Sequence, residues 1–172
     1  MDKIIDIKNI KLLEIISRGS FSTIFKARDK TTGKTLAAKM LENASDDSIQ
    51  NTCLQREIQI LSYFSHPTIL ECFGYSPVDF NNENRPIIFT QFCPNESLDY
   101  VIELERSHKS PPNWNDTKKL INIYGIAFGM MILHSHQIIH RDLKPANVLE
   151  DKNYYPKIGD FGLSKINNND IS

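Results

Sequence analysis

The sequence predicts an α+β fold in which a strand-rich first region is followed by a mostly helical second region. Up to Phe92, five short apolar-rich runs read as strands, and one run with helical spacing lies among them. From Cys93 the pattern changes, because a short polar linker leads into two helical patterns. We therefore expect a first domain over residues 1–92, a hinge over 93–97 and a second domain over 98–172.

The first three strands are predicted from runs of apolar and β-branched residues at 10–16, 23–28 and 35–40. The segment 30–34, with the sequence Lys-Thr-Thr-Gly-Lys, supplies turn chemistry between the second and third runs. These two strands are therefore expected to form a hairpin.

A single helix is predicted between the third and fourth strands. The acidic segment 46–48 is able to cap its start, and Leu54, Ile58 and Leu61 follow at helical spacing. The helix is expected to end at His66-Pro67, because the residue before a proline disfavours helical geometry. Two further strands are predicted at 71–76 and 86–92.

Two helices are predicted in the second domain, at 98–106 and 115–135, on either side of a proline-containing break. Gly125 and Gly129 lie four residues apart in the longer helix and indicate close packing against a neighbouring helix. The same helix carries an apolar stripe that we expect to be buried. Its members are Leu120, Ile121, Tyr124, Ala127, Phe128, Met131 and Ile132.

Composition and charge argue against several classes of protein. Of the 172 residues, 40% are hydrophobic and 24% are charged, as in an ordinary globular protein. The net charge of −1 favours neither nucleic acid nor a membrane surface as a partner. The longest apolar run, 124–133, has about half the length that a membrane span requires. The first residues resemble neither a signal peptide nor a myristoylation site.

The cysteines indicate a reducing environment. Cys53, Cys72 and Cys93 are an odd, widely spaced set without a C-x-x-C pair. This pattern argues against a disulfide framework and against a zinc site. We therefore expect free thiols and an intracellular, cytoplasmic location.

The segment His140–Leu149, with the sequence His-Arg-Asp-Leu-Lys-Pro-Ala-Asn-Val-Leu, is the strongest chemical signal in the chain. Asp142 and Asn147 suit a tight loop in which the carboxylate faces an attacking hydroxyl and the amide oxygen binds a metal. Lys144, between them, can reach a transferring phosphate. Asp160, in Asp-Phe-Gly, follows a hairpin-like passage. Together these groups supply the positioning and charge neutralisation that γ-phosphoryl transfer requires.

With these motifs the chain resembles the eukaryotic protein kinases, over residues 12–165. The resemblance implies a two-lobed fold, with one helix and a five-stranded antiparallel sheet in the first lobe and an incomplete, mostly helical second lobe. It implies ATP and Mg²⁺ as cofactors, with Asp142 as catalytic base or hydroxyl-orienting group. Asn147 and Asp160 would be the magnesium ligands. Lys144, followed by proline, is typical of the serine/threonine type.

The resemblance extends into the first domain. Lys39 matches the strand lysine that contacts the α- and β-phosphates of ATP, and Glu57 matches the helical glutamate that pairs with it. The phosphate-covering loop departs from the family pattern, because Gly19 is present while Ser17 and Ser22 replace the first and third glycines. Since the backbone must approach the phosphates without a Cβ in the way, we expect weakened nucleotide binding.

The adenine site follows from the same register. Thr90 falls at the position before the linker, where its small side chain would leave space behind the base. Gln91 and Cys93 would offer backbone groups to adenine. The apolar residues that the resemblance places around the nucleotide are Ile16, Ile24, Ala37 and Leu149.

Two functions remain open. The first is a serine/threonine-type protein kinase that transfers the ATP γ-phosphate to hydroxyl groups of a protein substrate, and the second is a non-catalytic nucleotide-binding or docking module. A small-molecule kinase is disfavoured by Lys144-Pro145 and by Asp-Phe-Gly. Similar domains continue beyond the position of Ser172. Without those further residues the apolar stripe of the long helix would lack its packing partners, so we expect a large exposed apolar patch there and no measurable phosphotransfer by this chain alone.

Overall fold

The computed structural model describes residues 4–19, 22–41 and 49–167, which form two compact units. The first unit comprises Met1–Phe64 and Glu71–Phe92, and the second comprises Ser65–Leu70 and Cys93–Ser172. The helix start expected at 46–48 lies outside the described residues, as do Ser20 and Phe21 of the phosphate-covering loop.

The first unit contains a five-stranded antiparallel sheet with the strand order β1-β2-β3-β5-β4. One helix, α1 (Ile49–Tyr63), lies between β3 and β4 in the chain. The predicted sheet with one helix is therefore confirmed, and the predicted strands differ from the observed ones by one or two residues at their ends. The strands are β1 (Ile10–Arg18), β2 (Ser22–Asp29), β3 (Thr35–Leu41), β4 (Cys72–Ser76) and β5 (Ile87–Gln91).

The turn between β2 and β3 sets the register of the sheet. The Asp29 carboxylate accepts hydrogen bonds from the backbone N–H of Thr31 and the hydroxyl of Thr32, both at 2.8 Å. Gly33 adopts a φ of 72°, a left-handed conformation that glycine reaches without steric cost. The predicted hairpin is therefore confirmed, and its closure places Lys39 of β3 directly opposite Ile24 of β2.

One face of the sheet is an apolar core. Because directly opposed residues of antiparallel strands share a face, Ala27 lies beside Leu36 and Ala38 lies beside Phe89 on this side. All four side chains are at most 3% exposed. Burial of this face leaves the alternate residues of β2, β3 and β5 to form the other face.

The second unit combines two helices with short paired strands. α2 (Leu98–Arg106) has the predicted bounds, and α3 (Asp116–Ser135) begins one residue later than predicted. Asn115 caps α3, since its side chain accepts a hydrogen bond from the backbone N–H of Lys118 at 3.1 Å. The short strands are β6 (Ile138–Ile139), β7 (Val148–Glu150), β8 (Pro156–Ile158) and β9 (Lys165–Ile166), which pair as β6-β9 and β7-β8.

The predicted burial of the apolar stripe on α3 is wrong for most of its members. Leu120, Tyr124, Phe128 and Met131 are between 49% and 73% exposed. Periodicity located the stripe correctly, but the packing partner decides which face is buried. The residues of α3 that are buried are Asn122, Gly129 and Leu133.

The two glycines of α3 pack against a strand and a loop, and not against a neighbouring helix as predicted. A Cβ atom on Gly129 would lie 2.6 Å from Thr68 Oγ1 and 2.7 Å from Ile158 Cδ1. A Cβ on Gly125 would lie 2.7 Å from Pro156 Cγ. The absence of these side chains lets α3 approach β8 closely. The exposed apolar patch expected on this helix is present, and within the described ranges no helix is long and apolar enough to cross a membrane.

Candidate active site

Four of the residues expected to bind nucleotide share one face of the first unit's sheet. Ile24 is paired with Lys39 across β2 and β3, and Ala37 is paired with Thr90 across β3 and β5. Ala37 and Lys39 are two residues apart in one strand, so all four side chains project from the same side. This side lies opposite to the apolar core, and the alternation of the strands therefore brings these residues together.

Lys39 is held by a carboxylate from α1. Its Nζ lies 2.6 Å from Oε2 of Glu57, with the two side chains 25% and 5% exposed. Burial removes water that would otherwise compete for the carboxylate, so a cation at this distance helps to compensate its charge. This contact joins a strand to a helix 18 residues away in the sequence and fixes where the ammonium group stands.

The remaining predicted residues of the first unit lie at the margins of the sheet. Ile16 is 41% exposed on β1, in a stretch where the pairing with β2 is interrupted by two register shifts. The backbone N–H of Gly19 donates to the carbonyl of Ser22 at 2.9 Å. The backbone N–H of Gln91 donates to the carbonyl of Glu71 at 2.8 Å, so the backbone carbonyl of Gln91 is the group that it could offer to adenine.

In the second unit, Asp142 is the centre of a hydrogen-bonded loop. Its Oδ2 accepts from Lys144 Nζ at 2.8 Å and from Asn147 Nδ2 at 2.9 Å. The same Nδ2 donates to the main-chain oxygen of Asp142 at 2.8 Å. A short 3₁₀ turn over Pro145–Asn147 closes the loop. The three predicted side chains are thus brought together within one tight loop.

Hydrogen bonding sets the charge of this loop. The pKa of Asp142 is lowered, chiefly by the hydrogen bond from Lys144 and also by that from Asn147. The pKa of Lys144 is raised by the same contact with Asp142. Both groups are consequently ionised at neutral pH, with Asp142 as a hydrogen-bond acceptor and Lys144 as a partly exposed cation.

The side chain of His140 contacts both the Asp142 loop and the segment that leads to Asp160. Its Nε2 lies 2.9 Å from the carbonyl of Gly159, and its Nδ1 lies 3.4 Å from the backbone N–H of Asp142. A carbonyl can only accept and a backbone N–H can only donate, so the proton belongs on Nε2. The ring is 1% exposed and packs against Phe161 with the centroids 4.9 Å apart. His140 therefore couples Asp142 to the segment that contains Asp160.

Asn147 and Asp160 are linked through the main chain. The backbone N–H of Gly159 donates to the carbonyl of Asn147 at 2.9 Å, which places the residue next to Asp160 beside the loop. Asp160 is exposed and has a φ of 59°, a conformation that aspartate tolerates better than most residues. Arg141 donates to the carbonyl of Leu163 at 2.7 Å and so anchors the chain beyond it.

The donor atoms at these positions fit a hard divalent cation. Asn147 uses its amide N–H groups on Asp142, which leaves its carbonyl oxygen as the atom able to ligate, and Asp160 adds a carboxylate. Within residues 4–19, 22–41 and 49–167 there is no group of three or more His, Cys, Asp or Glu side chains that could hold a metal. Few protein ligands, all oxygen, are what Mg²⁺ requires when phosphates complete its coordination.

The linker residues Cys93 and Leu149 lie in the second unit. Ser97 forms an antiparallel bridge with Leu149, so the linker runs alongside β7. Burial raises the pKa of the Cys93 thiol to about 12. A thiol that stays protonated is a poor nucleophile, so its backbone is the part of Cys93 available to a ligand.

Comparison with known families decides the identity of the chain. The family model described as the protein kinase domain matches residues 10–172. The chain belongs to the protein kinase family. The kinase resemblance predicted from the sequence is therefore confirmed.

Relatives of this kinase domain come from distant organisms. A probable serine/threonine-protein kinase of Dictyostelium discoideum is 33% identical over 165 residues, which cover 94% of this chain and 12% of that protein. A cysteine-rich receptor-like protein kinase of Oryza sativa subsp. japonica is 35% identical, covering 91% and 23%. A Pelle-like serine/threonine-protein kinase of Caenorhabditis elegans is 36% identical, covering 88% and 31%. The chain thus spans less than a third of the length of these three relatives.

The family implies the use of ATP and a divalent metal in general.

Sequence reasoning about this kinase domain missed one polar pair, Asn122 on α3 and Glu150 on β7, which are 3% and 0% exposed. The available signal was a charged residue that directly follows the apolar Val148-Leu149. The asparagine had no such signal, because it sits among the apolar residues of an ordinary helix.

Proposed function

We propose that this chain carries the nucleotide-binding and catalytic residues of a serine/threonine-type protein kinase, which transfers the γ-phosphate of ATP to hydroxyl groups of a protein substrate. The observation that carries the proposal is the Asp142 carboxylate, held by Lys144 at 2.8 Å and by Asn147 at 2.9 Å. A loop that served only to connect two strands would have no need of a cation, a carboxylate and an amide in this arrangement.

Asp142 acts as the group that orients the attacking hydroxyl. Because its pKa is lowered by Lys144, it is a weak base at neutral pH and acts mainly by accepting a hydrogen bond from the substrate. Lys144 lies beside it and neutralises negative charge on the transferring phosphoryl group. The serine/threonine preference rests on the Lys144-Pro145 pair within the loop.

Asn147 and Asp160 are the proposed ligands of Mg²⁺. When bound, the metal offsets the negative charge of the ATP phosphates. Asn147 offers its amide oxygen because its N–H groups are directed to Asp142. The hydrogen bond between Gly159 and Asn147 keeps the segment that carries Asp160 in place.

In the first unit, Lys39 is proposed to contact the α- and β-phosphates while Glu57 positions its ammonium group. Gly19 would let the backbone approach the phosphates. We assign residues 1–92 to the nucleotide lobe, 93–97 to the hinge and 98–172 to the catalytic lobe. The residues proposed to surround adenine are Ile16, Ile24, Ala37, Thr90, Gln91, Cys93 and Leu149.

Nucleotide binding tests the site directly. Calorimetric titration of the 172-residue chain with ATP, with and without Mg²⁺, should show binding that depends on the metal. Asp160→Asn should remove most of that metal dependence, and Lys39→Met should weaken binding whether or not metal is present. Asp99→Asn, on the exposed start of α2, is the matched control for the first substitution. Equal affinities in all four proteins would contradict the proposed site.

A docking module is the alternative, and the exposed apolar face of α3 is the observation that favours it. Transfer of labelled γ-phosphate to a generic serine/threonine substrate separates the two functions. From the sequence we expect no measurable transfer by these 172 residues alone. Transfer that falls by about 10²–10⁴ in Asp142→Asn would overturn that expectation and establish catalysis. ATP binding without transfer in either protein agrees with that expectation, so docking would be favoured only if Lys39→Met and Asp160→Asn also leave ATP binding unchanged.

A further inference from the structure

Glu150 is a carboxylate in the interior of the second unit. It is the last residue of β7 and 0% exposed. Its Oε2 lies 3.4 Å from Nδ2 of Asn122, which is 3% exposed on α3. Its Oε1 is buried without a hydrogen-bond partner, and so is Oδ1 of Asn122. Two buried oxygens without partners thus belong to side chains that already touch.

The orientation of the Asn122 amide is determined by its other neighbours. Nδ2 donates to the carbonyl of Lys118 at 3.1 Å and to the carbonyl of Tyr154 at 3.2 Å. Carbonyl oxygens only accept, so turning the amide over would place its oxygen against two other acceptors. Oδ1 therefore remains directed away from them and needs a donor.

One proton on Glu150 would give both unpaired oxygens a hydrogen-bond partner. An ionised Glu150 has only acceptor atoms and cannot satisfy Asn122 Oδ1. A protonated Glu150 can donate its O–H to Oδ1 while Nδ2 donates to Oε2, which makes a neutral acid–amide pair with two hydrogen bonds. Since an unpaired buried polar atom is costly, the neutral pair is favoured over the ionised one.

The balance of the surrounding groups agrees with this assignment. Burial is the largest cause that raises the pKa of Glu150 to about 7; the hydrogen bond from Asn122 and the charge of Lys118 act against this rise, and the charge of Asp151 adds to it. Cys93, in the linker, keeps its proton because its own pKa is raised to about 12. The pKa of Tyr154, in the turn between β7 and β8, is also raised by burial.

The backbone of Glu150 carries the linker. Its N–H donates to the carbonyl of Glu96 at 2.7 Å, and its carbonyl accepts from the N–H of Asn95 at 3.3 Å. Asn95 Nδ2 also donates to the carbonyl of Asp151 at 2.6 Å. The linker therefore lies alongside β7, and Leu149 is the residue that pairs with Ser97 in an isolated antiparallel bridge. Anything that moves β7 relative to α3 moves the linker.

We propose that Glu150 is a positioning residue of the nucleotide site, held as a neutral acid paired with Asn122, so that β7 and the linker it carries stay fixed against α3. The nucleotide part of this inference rests on the proposed function, whereas the protonation of Glu150 does not. Raising the pH removes the proton, breaks the pair and loosens the linker. The stabilisation that the neutral Glu150 provides is fully present below the ordinary pKa of glutamate. It is lost as the pH rises through about 7, the pKa of Glu150 in the folded chain.

Protonation can be measured on the unaltered chain without nucleotide. Carbon-13 labelling of glutamate side chains allows each carboxyl to be titrated by NMR, and Glu150→Gln identifies the signal of Glu150 by its disappearance. We expect one carboxyl with a midpoint near neutral pH. A midpoint in the ordinary glutamate range, about 4.3, would overturn the neutral pair.

Binding of Mg²⁺-ATP between pH 6 and 8.5 tests the positioning role. The affinity of the unaltered chain should weaken about fivefold across this range, a modest coupling between two sites. Glu150→Gln keeps the shape and donates an N–H to Asn122, so its affinity should stay near the low-pH value throughout. Glu96→Gln, at an exposed linker position, is the matched control and should keep the pH dependence.

Two results would overturn the positioning role. One is the same pH dependence in Glu150→Gln as in the unaltered chain. The other is a Glu150 carboxyl that titrates near neutral pH in a chain that does not bind ATP. That result would support the acid–amide pair and refute its link to nucleotide. If Glu150→Gln does not fold, the unaltered chain still tests the pair, because the absence of any glutamate carboxyl with a midpoint near neutral pH refutes it.

Discussion

Two lysine–carboxylate pairs of similar length have different origins in this molecule. Lys39 and Glu57 lie 2.6 Å apart across 18 residues, and the glutamate side chain is 5% exposed. Lys144 and Asp142 lie 2.8 Å apart across two residues, with side chains 52% and 29% exposed. The first pair is assembled by the packing of α1 on the sheet, whereas the second is assembled by the geometry of one loop.

The difference predicts how each pair responds to change. A buried carboxylate that loses its cation remains desolvated and uncompensated, which is costly. An exposed carboxylate that loses its cation is solvated by water and keeps most of its environment. The Lys39 pair should therefore be coupled to folding, and the Lys144 pair should be coupled mainly to the chemistry of Asp142.

The largest effect is expected from Lys39→Met, which removes the cation 2.6 Å from the buried Glu57 carboxylate. We expect a loss of about 3 kcal/mol in the free energy of unfolding, measured by urea denaturation at neutral pH. Lys26→Met is the matched control, because Lys26 pairs with Glu14 at 2.8 Å on the same sheet with side chains 31% and 67% exposed. The control should lose at most about 1 kcal/mol. Similar losses in both variants would refute the distinction between buried and exposed pairs.

An intermediate effect is expected from Gly129→Ala in α3. The new Cβ would lie 2.6 Å from Thr68 Oγ1, so the helix must move away from β8 or Thr68 must shift. Overpacking of this kind costs about 1–3 kcal/mol, against a gain in helix propensity of about 1 kcal/mol. Thr117→Ala, at an exposed position of the same helix, gains propensity without the clash. Because the Asp142 loop is closed by its own hydrogen bonds, the titration midpoint of the Asp142 carboxyl should be unchanged in Gly129→Ala. A shifted midpoint would show that the loop depends on α3.

The smallest effect is expected from Lys144→Met. The pKa of Asp142 is lowered first by the hydrogen bond from Lys144, so its removal should raise that pKa towards the ordinary value. A carboxyl whose pKa is lowered by folding stabilises the folded chain above its ordinary pKa, and this stabilisation is lost as the pH falls through the pKa of the folded state. The variant should therefore lose this stabilisation at a higher pH than the unaltered chain. NMR titration of aspartate carboxyls measures the shift, with Lys152→Met in the β7–β8 turn as control. An unmoved Asp142 midpoint would assign the lowered pKa to Asn147 instead.

Much of the fold was predictable because its elements are encoded locally. Runs of β-branched and apolar residues located all five strands of the sheet, and apolar residues at helical spacing after a proline-containing break located α3. The Asp142 loop was equally predictable, since Asp142, Lys144 and Asn147 are close in sequence and a short turn is sufficient to bring them together.

The sequence by itself determined the elements, the kinase motifs and the chemical character of the residues that carry them. Only the tertiary structure decided which face of α3 is buried, because spacing defines a stripe but the close approach of Gly129 to Ile158 selects the packing face. Only the tertiary structure joined Asn122 to Glu150 across 28 residues. Local propensity acts over a few residues, whereas burial and the satisfaction of buried polar atoms depend on neighbours that are distant in the chain.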